Sequence, residues 1–129
     1  MTTDLARIEF IRKTKLRCKK LAIAILELCD TFSYKQNSLR IISYQLGKSA
    51  SSLSANYHAA CRGRSGKEFY AKMSITIEEA DETVLWLEML LEGNFNVDPE
   101  KIRPLLSEAI EVLKILATAR KNSNSWNIQ

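Results

Sequence analysis

The chain has 129 residues, enough for one domain that buries about two-thirds of its unfolded surface. With 46% hydrophobic and 26% charged residues it is too apolar for a disordered chain, and 4 Gly and 2 Pro leave little punctuation for many short strands. The longest apolar run, Leu21 to Leu26, falls well short of the roughly 20 residues of a membrane span, and the start MTTDLARIEF has no apolar signal core. The net charge of +4 is unevenly spread: residues 1–64 hold 12 Lys/Arg against 4 Asp/Glu, and residues 65–129 hold 7 against 11. A basic half and an acidic half can neutralise each other within a bundle, meet between subunits, or leave a basic face for a polyanion.

From Asp4 to Phe32, Leu5, Ile8, Ile11, Cys18, Leu21, Ile25, Leu28 and Phe32 form the stripe of an amphipathic helix, with Thr2, Thr3 or Asp4 as its cap. Its first half is thickly basic, with Arg7, Arg12, Lys13, Lys15, Arg17, Lys19 and Lys20 against Asp4 and Glu9. That face suits a polyanion or is simply solvated, since no aromatics interleave for base stacking. A polar loop, Ser33–Ser38, leads into a second helix over about 39–62, whose stripe is Ile42, Leu46, Ala50, Leu53, Tyr57 and Ala60. Its serine-rich run, Ser49 to Ser54, is read as an exposed face, and Asn56 as a satisfied structural amide.

The Arg62-Gly63-Arg64 hinge follows, and Ser65 with Glu68 has capping-box spacing, so a third helix should open near Gly66. Phe69, Met73, Ile77, Ala80, Val84, Leu87 and Leu91 form its stripe, and Trp86, Met89 and Leu90 widen it beyond what one core needs, which points to a subunit contact. After Gly93–Val97, Asp98 and Pro99 form a start signal, but Pro104 would delete a helical hydrogen bond. Either 98–102 is a separate turn and the last helix starts near Arg103, the reading preferred here, or the helix begins at Pro99 and kinks. Leu106, Ala109, Leu113 and Leu116 carry the stripe to about Lys121. The expected architecture is all-α, an antiparallel up-down-up-down four-helix bundle over residues 1–122 with a frayed tail over 123–129.

Catalytic and metal chemistry find little support. Glu78, Glu79, Asp81 and Glu82 cluster, but a carboxylate-bridged bundle site wants two Glu-x-x-His pairs and the chain has one histidine. His58 and Cys61 lack a second pair to complete a tetrahedral metal set, and no oxyanion donors accompany them. The odd set Cys18, Cys29 and Cys61 reads as small hydrophobes in a reducing cytoplasm. No enzyme activity, metal or cofactor is expected.

The segment SLSAN, the basic hinge and then SGKEFYAKMSITIEEADETVLWLEMLLE resemble the proteins encoded within intervening sequences of bacterial 23S ribosomal RNA genes and their chromosomal relatives. The likeness is densest over Gln45 to Leu91, and the pattern from Lys72 to Leu90 is its most specific part. It implies small cytoplasmic bundles assembled into rings, often of five subunits, with nucleic-acid binding through a basic surface. A distant relative, the accessory protein of diversity-generating retroelements, works with a reverse transcriptase and its RNA. Two positions depart from the family pattern. Ala59 stands where a glutamate is usual, and Glu78 stands where a lysine often precedes Glu79-Ala80-Asp81.

Two functions are therefore expected. In the first, Arg7, Arg12, Lys13, Arg17, Lys20, Arg62 and Arg64 hold RNA or DNA while Glu78, Glu79, Asp81, Glu82, Trp86 and Met89 serve the oligomer interface. In the second, a structural ring binds another protein and the basic residues are spent on subunit contacts.

Overall fold

The computed structural model describes residues 2–123, with side chains from Asp4 onward. Four helices account for nearly all of it: α1 Thr2–Asp30, α2 Asn37–Ala60, α3 Gly66–Glu92 and α4 Pro99–Ser123. Each packs on its neighbours in sequence and α1 closes on α4, while the backbones of the diagonal pairs α1/α3 and α2/α4 nowhere approach within 8 Å, Cα to Cα, among the described residues. Contacts across the seams show that neighbours run antiparallel. Ser49 in mid-α2 meets Thr83 late in α3, and Arg120 near the end of α4 meets Ser74 near the start of α3. The start of α1 (Arg7, Ile11) lies beside the hinge after α2 (Gly63, Arg64). The result is the expected four-helix bundle.

The core is built from every residue of the expected α2 stripe, together with Cys18, Leu21, Ile25 and Leu28 of α1, Met73, Ala80, Val84 and Leu87 of α3, and Ile102, Ala109, Val112 and Leu116 of α4. Ser65 caps α3 as its spacing predicts, its Oγ accepting from the Glu68 N–H at 3.1 Å. The hinge is tight. A Cβ on Gly63 would stand 3.1 Å from the Ala60 carbonyl oxygen and 3.2 Å from the Phe69 nitrogen, so a larger residue would have to push the backbone of the turn aside. At the other end, Gln36 ties the two remaining loops together, donating to Asn94 O at 3.3 Å and accepting from Asn96 N–H at 3.4 Å.

Several expectations are corrected. α4 starts at Pro99 and runs through Pro104, not from Arg103. Asp98 makes this possible: its Oδ1 accepts from Glu100 N–H at 3.0 Å, its carbonyl accepts from Lys101 N–H at 3.1 Å, and the fully buried Ile102 anchors the first turn to the core. Leu5 and Ile8, placed in the α1 stripe, are 69% and 62% exposed: Leu5 lies on nearly the opposite side of the helix from Cys18 and Ile25, and Ile8 about a quarter-turn away from them. Ile77 and Leu91 are only half-buried, and Thr76, Thr83 and Leu90 take the fully covered positions of α3.

Ser49, read as exposed, is buried against α3, while Asn56 donates to Ser52 O at 2.8 Å as a structural amide. Ser123, assigned to the tail, is the buried last residue of α4, and the rest of that tail, 124–129, lies outside the described residues.

Candidate nucleic-acid and assembly surfaces

The antiparallel arrangement sorts the charges by end and by face. The start of α1, the hinge, the first turns of α3 and the end of α4 all meet at one end of the bundle. Residues 4–13, 62–72 and 111–121 there hold ten Lys/Arg against four Asp/Glu, leaving nine against eleven for the rest of the chain. At this hinge end a cleft of 230 Å³ is lined by Arg7, Arg64, Ser65, Gly66 and Phe69. Arg62 sits one residue before Gly63 in the same turn, its N–H bonded to Ala59 O at 3.1 Å.

The basic residues expected on α1 have different fates. Arg17 makes a two-pronged ion pair with Glu108 across the α1/α4 seam, at 2.7 and 2.9 Å. Donating to the Glu108 carboxylate makes the Arg17 guanidinium hold its proton more firmly than usual. This guanidinium fastens two helices together, and a phosphate would have to displace Glu108 to reach it. Arg12 pairs with Glu9 one turn back, at 3.1 and 2.6 Å, and Lys13 reaches the same carboxylate at 3.9 Å. That shared pair is solvent-exposed, and the Arg12 hydrogen bond draws the Glu9 carboxyl below its ordinary value. Lys20 is exposed on the outer side of α1.

One basic grouping appears only when α1 and α2 are packed. His58 stands close enough to Arg62, Lys15 and Lys19 that their charges, Arg62 first, push its imidazole below the usual value. Lys15/Lys19 and His58/Arg62 are each i, i+4 pairs, the one sequence signal that could have placed them on facing strips. Four cationic or ionisable groups so arranged repel a metal ion, so His58 with Cys61 is a poor metal site. The thiols are poor nucleophiles, since burial raises Cys18 to about 12 and Cys29 to about 11.

The acidic cluster divides likewise. Glu78, Asp81, Glu82 and Met89 are exposed along α3. Glu79 turns toward Lys48 of α2, and burial, then the Glu82 charge, raise its carboxyl above the ordinary value. Trp86 is half-buried against the core, its indole Nε1 covered and without a hydrogen-bond partner. Since the α1 and α3 backbones nowhere approach within 8 Å among the described residues, the exposed basic face of one and the exposed acidic face of the other lie on different sides of the protomer. No described helix is long and apolar enough to cross a membrane.

A bundle of four long helices with charge sorted by face defines the class of protein, one whose recognisable feature is its surface. Residues 13–118 match the family described as 23S rRNA-intervening sequence protein, and the chain belongs to that family. A crystal structure of a protein of unknown function from the S23 ribosomal protein family of Bacteroides thetaiotaomicron is similar to it. The two share 25% sequence identity with a TM-score of 0.74, over 87% of this chain and 98% of that one. No curated protein matches the sequence.

Proposed function

We propose that this chain is a non-enzymatic, cytoplasmic, homo-oligomeric bundle that holds RNA or DNA by phosphate contacts at its hinge end. The observation that carries this reading is the pair Arg7 and Arg64 lining one polar cleft, with Arg62 two residues away in the same turn, at the end of the molecule where basic residues outnumber acidic ones by ten to four. Guanidinium groups present planar, paired donors to phosphate, and a cluster of them without base-reading aromatics binds with little sequence preference. Arg17 is left out of this surface because Glu108 already holds it. Arg12, Lys13 and Lys20 lie farther along α1 and add to the positive field.

The test is a mobility-shift titration of wild type and Arg62→Glu/Arg64→Glu with single-stranded RNA and with duplex DNA, from about 50 to 200 mM salt. Wild type should bind both, weakening steeply with salt. The double variant should bind at least about tenfold more weakly, with a log–log salt slope smaller by about 1.4 to 1.8. Absence of binding by wild type at the lowest salt, with the protein folded, overturns the reading.

A second reading is favoured by a different observation. Leu5, Ile8, Leu16 and Ile23 stand exposed among the α1 cations, a mixture that suits a protein face better than a phosphate track. In that reading the bundle is an adaptor that binds another protein, such as a reverse transcriptase, and the mobility shift is absent.

A further inference from the structure

Two outward stripes on diagonally opposite helices match each other in spacing and in charge. On α1 the stripe runs Leu5, Ile8, Arg12, Leu16, Lys19, Ile23, Leu26, in steps of 3, 4, 4, 3, 4 and 3. On α3 it runs Ala71, Ile75, Glu78, Glu82, Leu85, Met89, in steps of 4, 3, 4, 3 and 4. Every residue of both is exposed, and the six large apolar ones from Leu16 onward, Leu16, Ile23, Leu26, Ile75, Leu85 and Met89, are between 41% and 49% exposed. Alternating three- and four-residue spacing is the seam of helices that interlock side by side. Each stripe has aliphatic residues toward both ends and charge in the middle, basic on α1 and acidic on α3.

The levels agree as well. A Cβ on Gly47 would stand 3.3 Å from Leu26, so Leu26 and Gly47 share a level, and Ser49 bonds to Thr83 across the next seam. Two residues back along α2 from Ser49 is two residues forward along the antiparallel α3 from Thr83. Leu26 therefore stands at the height of Leu85, Lys19 at that of Glu78, and Leu16 at that of Ile75. Since α1 and α3 point the same way in an up-down-up-down bundle, a neighbour related by rotation about an axis along the bundle brings these pairs face to face.

We infer that the outer stripe of α1 in one copy docks on the outer stripe of α3 in the next, head to tail, with Lys19 against Glu78 and Glu82. This rests on the homo-oligomeric part of the proposed function and names the faces that build it. A patch and its complement on opposite sides of a molecule make a heterologous contact, which closes into a ring or grows as a filament. A two-fold dimer is the one arrangement it does not produce. The hinge ends of successive copies then lie on the same rim, so the cleft of Arg7 and Arg64 is repeated around it.

The test is the solution mass, by light scattering, of four full-length chains at matched concentration: wild type, Lys19→Glu, Glu78→Lys, and the chain carrying both changes. The altered side chains are all exposed, and far-ultraviolet circular dichroism checks that the helices are retained. Wild type should be larger than a dimer. Each single reversal should weaken association by at least about tenfold through like-charge juxtaposition, and the doubly changed chain, with charges exchanged, should recover it. Single reversals that keep the wild-type mass, or a wild-type dimer, overturn the stripe pairing while leaving a homo-oligomer in place. A monomeric wild type overturns both. Nucleic-acid binding is read separately from Arg62 and Arg64, which lie outside the stripes.

Discussion

The buried hydroxyl pair Ser49/Thr83 is the only side-chain hydrogen bond between α2 and α3 among the described residues, and its removal has a computable cost. Thr83 Oγ1 lies 3.0 Å from Ser49 Oγ and 2.8 Å from Glu79 O, and Ser49 Oγ lies 3.1 Å from Leu46 O. Two hydroxyl protons thus serve three contacts, and only one of them crosses the seam. In Thr83→Val the Ser49 hydroxyl still donates to Leu46 O, so no buried group is orphaned and the loss is one net hydrogen bond, about 1 kcal/mol. Ser49→Ala leaves Thr83 donating to Glu79 O and costs about the same. The double variant loses that single shared bond, so its cost should also be about 1 kcal/mol and not the sum of about 2. Thermal and urea unfolding of the four proteins closes the cycle. Each variant should lose about 4 °C in Tm, with a coupling energy of about 1 kcal/mol. Additive losses would refute the shared bond and with it the placement of Ser49 in the core.

Pro104→Ala should stabilise the protein by about 1 to 2 kcal/mol, because it restores the hydrogen bond to Glu100 O and gives up only the smaller entropy advantage of proline in the unfolded chain; a loss in urea unfolding would contradict an unbroken α4. Gly47→Ala should raise stability by about 0.5 kcal/mol. The added methyl meets only the mobile end of the exposed Leu26, which can swing aside, and a measured loss would show that α1 and α2 are held too close for it. For Glu79, whose carboxyl is raised by burial and by Glu82, the folded chain keeps the proton to higher pH than the unfolded chain does. Stability is therefore lost as pH rises from 4.5 through the folded value, and Glu79→Gln should raise Tm at pH 7 and leave it unchanged at pH 3.

Periodicity and caps alone were enough for the first three rods and the turns between them, and for the existence of a fourth. Ile42, Leu46, Ala50, Leu53, Tyr57 and Ala60 recur on one face of a helix whatever packs there, and Ser65 with Glu68 or Asp98 with Pro99 act within a single turn. Pro104 shows the limit of local reasoning. The hydrogen bond it forfeits is a fixed local cost, whereas the gain from burying Ile102 exists only once the other helices are present to cover it. The same holds for the charges. Linear sequence shows Arg17 as one cation among seven, but only folding brings Glu108, 91 positions away, to within 2.7 Å of it. Whether Leu5 and Leu16 belong to a core or to an outer face depends on which neighbour stands beside α1, and a sequence records the pattern of a helix without recording its rotation against its partners.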